Sequence, residues 1–118
     1  MAELKIKRAY DAPNPSDGKR VLVDALWPRG IRKTELKLDD WWKDLAPSTE
    51  LRKWYGHDPD KWTEFRKRFA AELNEKPDAV QRLRKMAGEG TVTLVYSSRE
   101  EKLNNAVALK ELVEGGKV

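Results

Sequence analysis

Two strings combine arginine with the small, stiff or hydroxylated residues that anion sites use. Trp27-Pro28-Arg29-Gly30 follows the apolar run 21–23 and Asp24, and Ser97-Ser98-Arg99 follows the apolar run 91–96. Arg29 and Arg99 offer planar forks that match carboxylate or phosphate oxygens. Gly30 lets backbone approach a ligand closely, Pro28 stiffens its turn, and Trp27 gives the pocket an apolar wall. Ser97 and Ser98 supply hydroxyls. A helix starting at Ser98 would aim its free backbone N–H groups at the same place. Each string also has a purely structural reading. Ser98 and Glu101 fit a capping box, Trp27-Pro28 fits a plug at the end of the core, and Asp24 fits a partner for a nearby arginine.

For catalysis the candidates are Asp24 and His57, each as a general base at that pocket. His57 is the single histidine and titrates nearest neutrality by default. It sits beside Asp58, which with Pro59 reads as a helix start, so a surface or structural role competes. No metal site is expected: Asp39, Asp40 and Asp44 fan around a helix rather than converge. The chain has no cysteine, which excludes disulfides, thiol nucleophiles and cysteine-ligated zinc. Walker, GxSxG and HExxH motifs are absent, and no cofactor is implied.

Positioning these residues falls to one domain, 1–118, of α/β class. Strands are expected over 3–9, 20–26 and 91–96, the first near a sheet edge and the second buried as parallel strands are. The Pro- and Asp-rich stretch 10–19 is a loop. Between the second and third strands the period turns helical. A short helix is expected at 38–46 and another from Ser48 to Gly56. Asp58-Pro59 opens a longer one carrying the stripe Trp62, Phe65, Phe69 and Leu73. A helix from Pro77 follows, with Val80, Leu83 and Ala87 inward and Gly88 as its stop, and a final helix spans 98–114. A crossover of this length makes the second and third strands parallel, so both end at one sheet edge, where open α/β sheets bind ligands. The orientation of the first strand stays open. The expected architecture is a three-layer domain whose mainly parallel sheet has three or four strands flanked by helices.

Charged residues make up 37% of the 118, with 24 Lys and Arg against 20 Asp and Glu for a net charge of +4. This balance favours anionic partners, yet the signs alternate along the chain as on solvated helix faces. Of five tryptophans, Trp41, Trp42, Trp54 and Trp62 interleave with Lys43, Arg52, Lys53 and Lys61, as base-stacking surfaces do, but their helical spacing fits core packing and leaves one or two exposed at most. Nucleic-acid binding is therefore an alternative, not the favoured reading. No run approaches the roughly 18 apolar residues of a membrane span, and "MAELKIKRAY" has no apolar signal core, so a cytoplasmic protein without a membrane partner is expected.

The strings "RVLVDALWPRGIRK", "LAPSTELRKWYGHDPDKWTEF" and "GTVTLVYSSREEKLNNAVALKELV" closely resemble the YeaO-like family, small bacterial proteins grouped under a domain of unknown function. The resemblance covers about residues 3–115. It implies a compact three-layer α/β domain and no particular activity. It marks Asp24, Trp27, Pro28, Arg29, Gly30, His57, Asp58 and Pro59 as motif positions. Relatives in the wider superfamily often carry a cysteine after the last strand and a His-Arg pair at the next helix; this chain departs from that with "YSSREEKLNN". Some relatives are called transcriptional regulators, but no helix-turn-helix pair stands out among the middle helices. The function expected from the residues is binding of a small phosphate- or carboxylate-containing ligand at the strand ends, with catalysis at the same pocket as the alternative.

Overall fold

The computed structural model describes residues 4–116 and 118; residue 3 of the expected first strand lies outside them. Four strands, β1 (Leu4–Arg8), β2 (Lys19–Leu22), β3 (Asp40–Trp41) and β4 (Val92–Tyr96), form one parallel sheet in the order β1-β4-β2-β3. The first strand is thus parallel to its neighbour, with Ile6 opposite Leu94, and it lies at an edge as its alternation implied. On the other side of β4, Val21 pairs with Leu94. All five residues of β4 are buried, as befits a strand paired on both edges and covered on both faces.

Side chains alternate between the faces, so the sheet feeds two cores. Val21, Val23, Val92, Leu94 and Tyr96 point into the larger core. Covering it are α2 (Thr49–Tyr55), α3 (Trp62–Asn74), α4 (Pro77–Glu89) and α5 (Asn105–Glu114). The expected stripe on α3 buries Phe65, Phe69 and Leu73 there, each contributing about 1.5–3 kcal/mol of apolar transfer. Leu22, Val95 and Ala9 point the other way, into a smaller core closed by Leu36 of α1 (Lys33–Leu36), Trp27, Ile31, Leu38 and Trp41. Helices on one face and a short helix with loops on the other make the three layers.

Four local expectations change. The second strand, expected over 20–26, spans Lys19–Leu22, and its last ladder bond is Val23 N–H to Val95 O. Residues 38–46 do not form a helix: Asp39 N–H donates to Arg20 O at 2.8 Å and Trp42 N–H to Leu22 O at 2.9 Å. The free edge of β2 offers ladder bonds that outweigh the local helical period, and a single 3₁₀ turn at Lys43–Leu45 follows. The helix α4 runs through Gly88 to Glu89, and Ala87 is only half-buried. The last helix begins at Asn105 instead of Ser98, because Asn104 caps it by accepting from Val107 N–H at 2.9 Å. None of the five tryptophans is exposed. Lys43 lies over the ring of Trp41, Arg82 over Trp42, and both Lys61 and Arg68 over Trp54, at 4.1–5.1 Å from the ring centroids. Two of the interleaved cations, Lys43 and Lys61, thus cover ring faces within the molecule, joined by Arg68 and Arg82 from α3 and α4. Among the described residues no helix is long and apolar enough to cross a membrane.

Candidate functional site

β2 and β4 are parallel neighbours, so their carboxyl ends share one edge of the sheet. Their ladder ends where Val23 N–H donates to Val95 O at 3.1 Å. The next residue, Asp24, replaces backbone pairing with side-chain pairing. Its Oδ2 accepts from both the N–H and the hydroxyl of Ser97, each at 2.8 Å. Its Oδ1 accepts from Asn105 Nδ2 at 3.0 Å, and the same amide donates to Val23 O. The Trp41 indole N–H closes on Asp24 O at 2.7 Å. One carboxylate thus ties the end of β2 to the end of β4 and to the first residue of α5. Asp24 has no arginine partner among the described residues.

Above this junction lies a cavity of about 240 Å³. Asp24, Ser97, Ser98 and Asn105 line one side, while Arg52, Tyr55 and His57 line another. Phe65, Ala46 and Pro47 supply apolar wall, and Leu26, 69% exposed, stands at the edge. Tyr55 is fixed: its hydroxyl donates to Leu103 O at 2.8 Å and its ring stacks on Phe65 at 4.3 Å. Burial, reinforced by the negative charges of Glu100 and Asp58, pushes its phenol above the ordinary 10.0, so at neutral pH it is a neutral donor already in use. Arg52 is different. Its Nη2 donates to Thr49 Oγ1 at 3.1 Å, but its Nε is buried without a hydrogen-bond partner, and no carboxylate pairs with the guanidinium among the described residues. His57 is exposed and follows the left-handed C-cap Gly56 with a left-handed φ of its own, +57°. A non-glycine residue in that region stores backbone strain, a feature concentrated at functional sites. Its ring leans on Tyr55 at 5.7 Å.

The family described as the inactive DUF488-N3 subclade matches residues 3–116. The chain belongs to that subclade. An uncharacterized protein of Mycobacterium tuberculosis is 42% identical over 112 residues, covering 95% of this chain and 94% of its own. The uncharacterized protein YeaO of Escherichia coli is 43% identical over 108 residues, covering 92% and 94%. The resemblance to YeaO-like proteins therefore extends along nearly the whole domain. No solved structure matches the chain significantly.

Of the positions singled out in this subclade member's sequence, Asp24, His57, Ser97 and Ser98 come together on the cavity. Arg29, Gly30, Trp27 and Arg99 do not line it. Beyond Leu26 the chain turns toward the smaller core: the Trp27 indole donates to Ile31 O at 2.7 Å and packs edge-on against Trp41, while Pro28 is buried. Arg29 is exposed, its carbonyl held by the Tyr10 hydroxyl at 2.9 Å, and Gly30 takes a φ of +82° in the turn. Arg99 is exposed in a loop that closes on itself: Ser98 Oγ accepts from Glu100 N–H, and Glu100 Oε1 from Leu103 N–H. Three polar cavity residues escaped the sequence reading of the site: Arg52, Tyr55 and Asn105. Arg52 and Tyr55 are three apart on one helix and so share a face, and the Asn104-Asn105 pair before an apolar run is itself a capping signal. Among the described residues no His, Asp and Glu group converges as a metal site.

Proposed function

We propose that this chain is a binding module for a small anionic ligand, carrying phosphate or carboxylate, held in the cavity at the carboxyl ends of β2 and β4. The observation that carries the reading is Arg52: a half-buried guanidinium with no carboxylate partner, lining an open cavity, is electrostatically incomplete without an anion. Ser98, whose hydroxyl accepts from Glu100 N–H, keeps its own O–H to donate. His57, exposed, adds an imidazole to the lining. Arg29 and Arg99 stand outside, so the grip passes to Arg52. The engagement of Asp24 in three hydrogen bonds and the description of the subclade as inactive both favour binding over acid–base catalysis. A cytoplasmic setting is part of this proposal; a chain without cysteine carries no disulfide that would require an oxidising compartment.

The test is an NMR amide titration with inorganic phosphate, acetate and a nucleotide mixture, on the natural chain and on R52A. Shifts confined to 52–57, 97–98 and 105, and lost in R52A, are the expected result. Absence of shifts there, or shifts that survive R52A, would overturn it.

A further inference from the structure

We infer that the ligand of this cavity is a bifunctional anion, one that also carries an ammonium or hydroxyl group near its acidic end. This rests on the binding reading above and narrows it.

The inference comes from counting hydrogen bonds on the Asp24 side of the cavity. Both residues that bond the Asp24 carboxylate have spent their side-chain donors, and Ser98 alone keeps a hydroxyl hydrogen at this wall. Ser97 gives both its N–H and its hydroxyl hydrogen to Asp24 Oδ2. Asn105 Nδ2 divides its hydrogens between Val23 O and Asp24 Oδ1, which also fixes the orientation of its amide. Within the Asp24, Ser97 and Asn105 side-chain cluster what remains is acceptors only. Asp24 Oδ1 takes one hydrogen bond, Ser97 Oγ has donated its hydrogen, and Asn105 Oδ1 accepts none among the described residues. A carboxylate has about four acceptor positions and a hydroxyl oxygen two, so unused lone pairs remain at this side. An anion alone would meet repulsion from Asp24 here. A molecule that presents a donor to Asp24 and an acid to Arg52 satisfies both sides at once, and the bond to Asp24 is charge-assisted. Phe65 and Pro47 are apolar lining of the same cavity, whose volume of about 240 Å³ admits a compact body.

Three probes of one skeleton separate the possibilities by isothermal titration calorimetry: 3-phenylpropionate, L-3-phenyllactate and L-phenylalanine, each against the natural chain and R52Q. The expected result is that phenyllactate or phenylalanine binds at least about tenfold tighter than phenylpropionate, the discrimination of one hydrogen bond to a charged group. R52Q should weaken all three while leaving that ratio in place, with its amide spectrum confirming the fold. Equal affinities that fall together in R52Q would overturn the donor requirement and leave the anion reading standing. Binding indifferent to R52Q would overturn both, and no binding by any of the three would overturn this narrowing while the phosphate and acetate titration decides the anion reading.

Discussion

On the sheet face away from the long helices, Asp17 is buried between two cations: Arg20 Nη1 at 2.6 Å and Lys7 Nζ at 2.9 Å. Burial alone would raise its carboxyl, but hydrogen bonds from Lys7, the Asn14 backbone N–H and Arg20 outweigh that and hold it below its ordinary 3.8. A carboxyl depressed in the folded state contributes stability that is fully present above its unfolded value and is lost as pH falls through the folded one. Urea unfolding between pH 7 and pH 2 should therefore show an acid loss in the natural chain that is smaller in D17N. At pH 7, D17N should cost about 3–5 kcal/mol, because Arg20, also bonded to Leu36 O, stays buried with its counter-charge gone. Equal acid slopes would show that other carboxylates carry the effect. Neither this network nor the role of Asp24 could be read from residue types. Asp17 lies in a turn-forming string and Asp24 at the end of an apolar run, and the sequence does not say which polar groups face them. The chemistry of Asp24, Ser97 and Ser98 was legible as a strand-end cluster. That of Arg52 was not, since one of 24 cations becomes informative only when its partners are seen to be missing.

Between elements, the tightest joint is the turn that leads into β2. Gly18 has φ +65°, and a Cβ there would meet Thr91 O at 2.1 Å, against backbone at the entry to β4 that cannot swing away. Lys19 N–H also bonds Thr91 O at 3.0 Å, so moving the two segments apart breaks the start of the ladder. G18A should cost at least about 2 kcal/mol, combining overpacking with left-handed strain. Gly30 is the control: its φ of +82° is equally foreign to alanine, but nothing lies within 4 Å, so G30A should cost only about 1 kcal/mol. Thermal melts of the two variants decide this, and similar losses would mean that φ alone matters at both places. The strands and long helices were visible from period and caps, because apolar spacing and Asp58-Pro59 or Ser48 act locally. The segment 38–46 was misread because its conformation depends on an edge supplied by residues 20–22, which no local window contains.

Across the whole molecule the two cores are unequal. Four long or medium helices cover one face, whereas the other rests on α1 and a few half-buried side chains around Leu22 and Val95. Cooperative units open according to the apolar surface that closes them, so the smaller layer should come apart before the sheet does. Native-state hydrogen exchange should find the amides of β4 among the slowest, exchanging only through global unfolding, because that strand is paired on both edges and buried throughout. The amides of Leu36 and Lys37, bonded to Arg32 O and Lys33 O at the end of a four-residue helix, should exchange through a smaller opening with weaker urea dependence. The cavity lies on the opposite, better-buttressed side, walled by Tyr55, Phe65 and the start of α5. A ligand bound there should slow exchange from global opening by its full linkage free energy and leave the local opening of α1 unchanged. If instead the amides of α1 and β4 share one free energy of exchange, the two layers unfold as a unit.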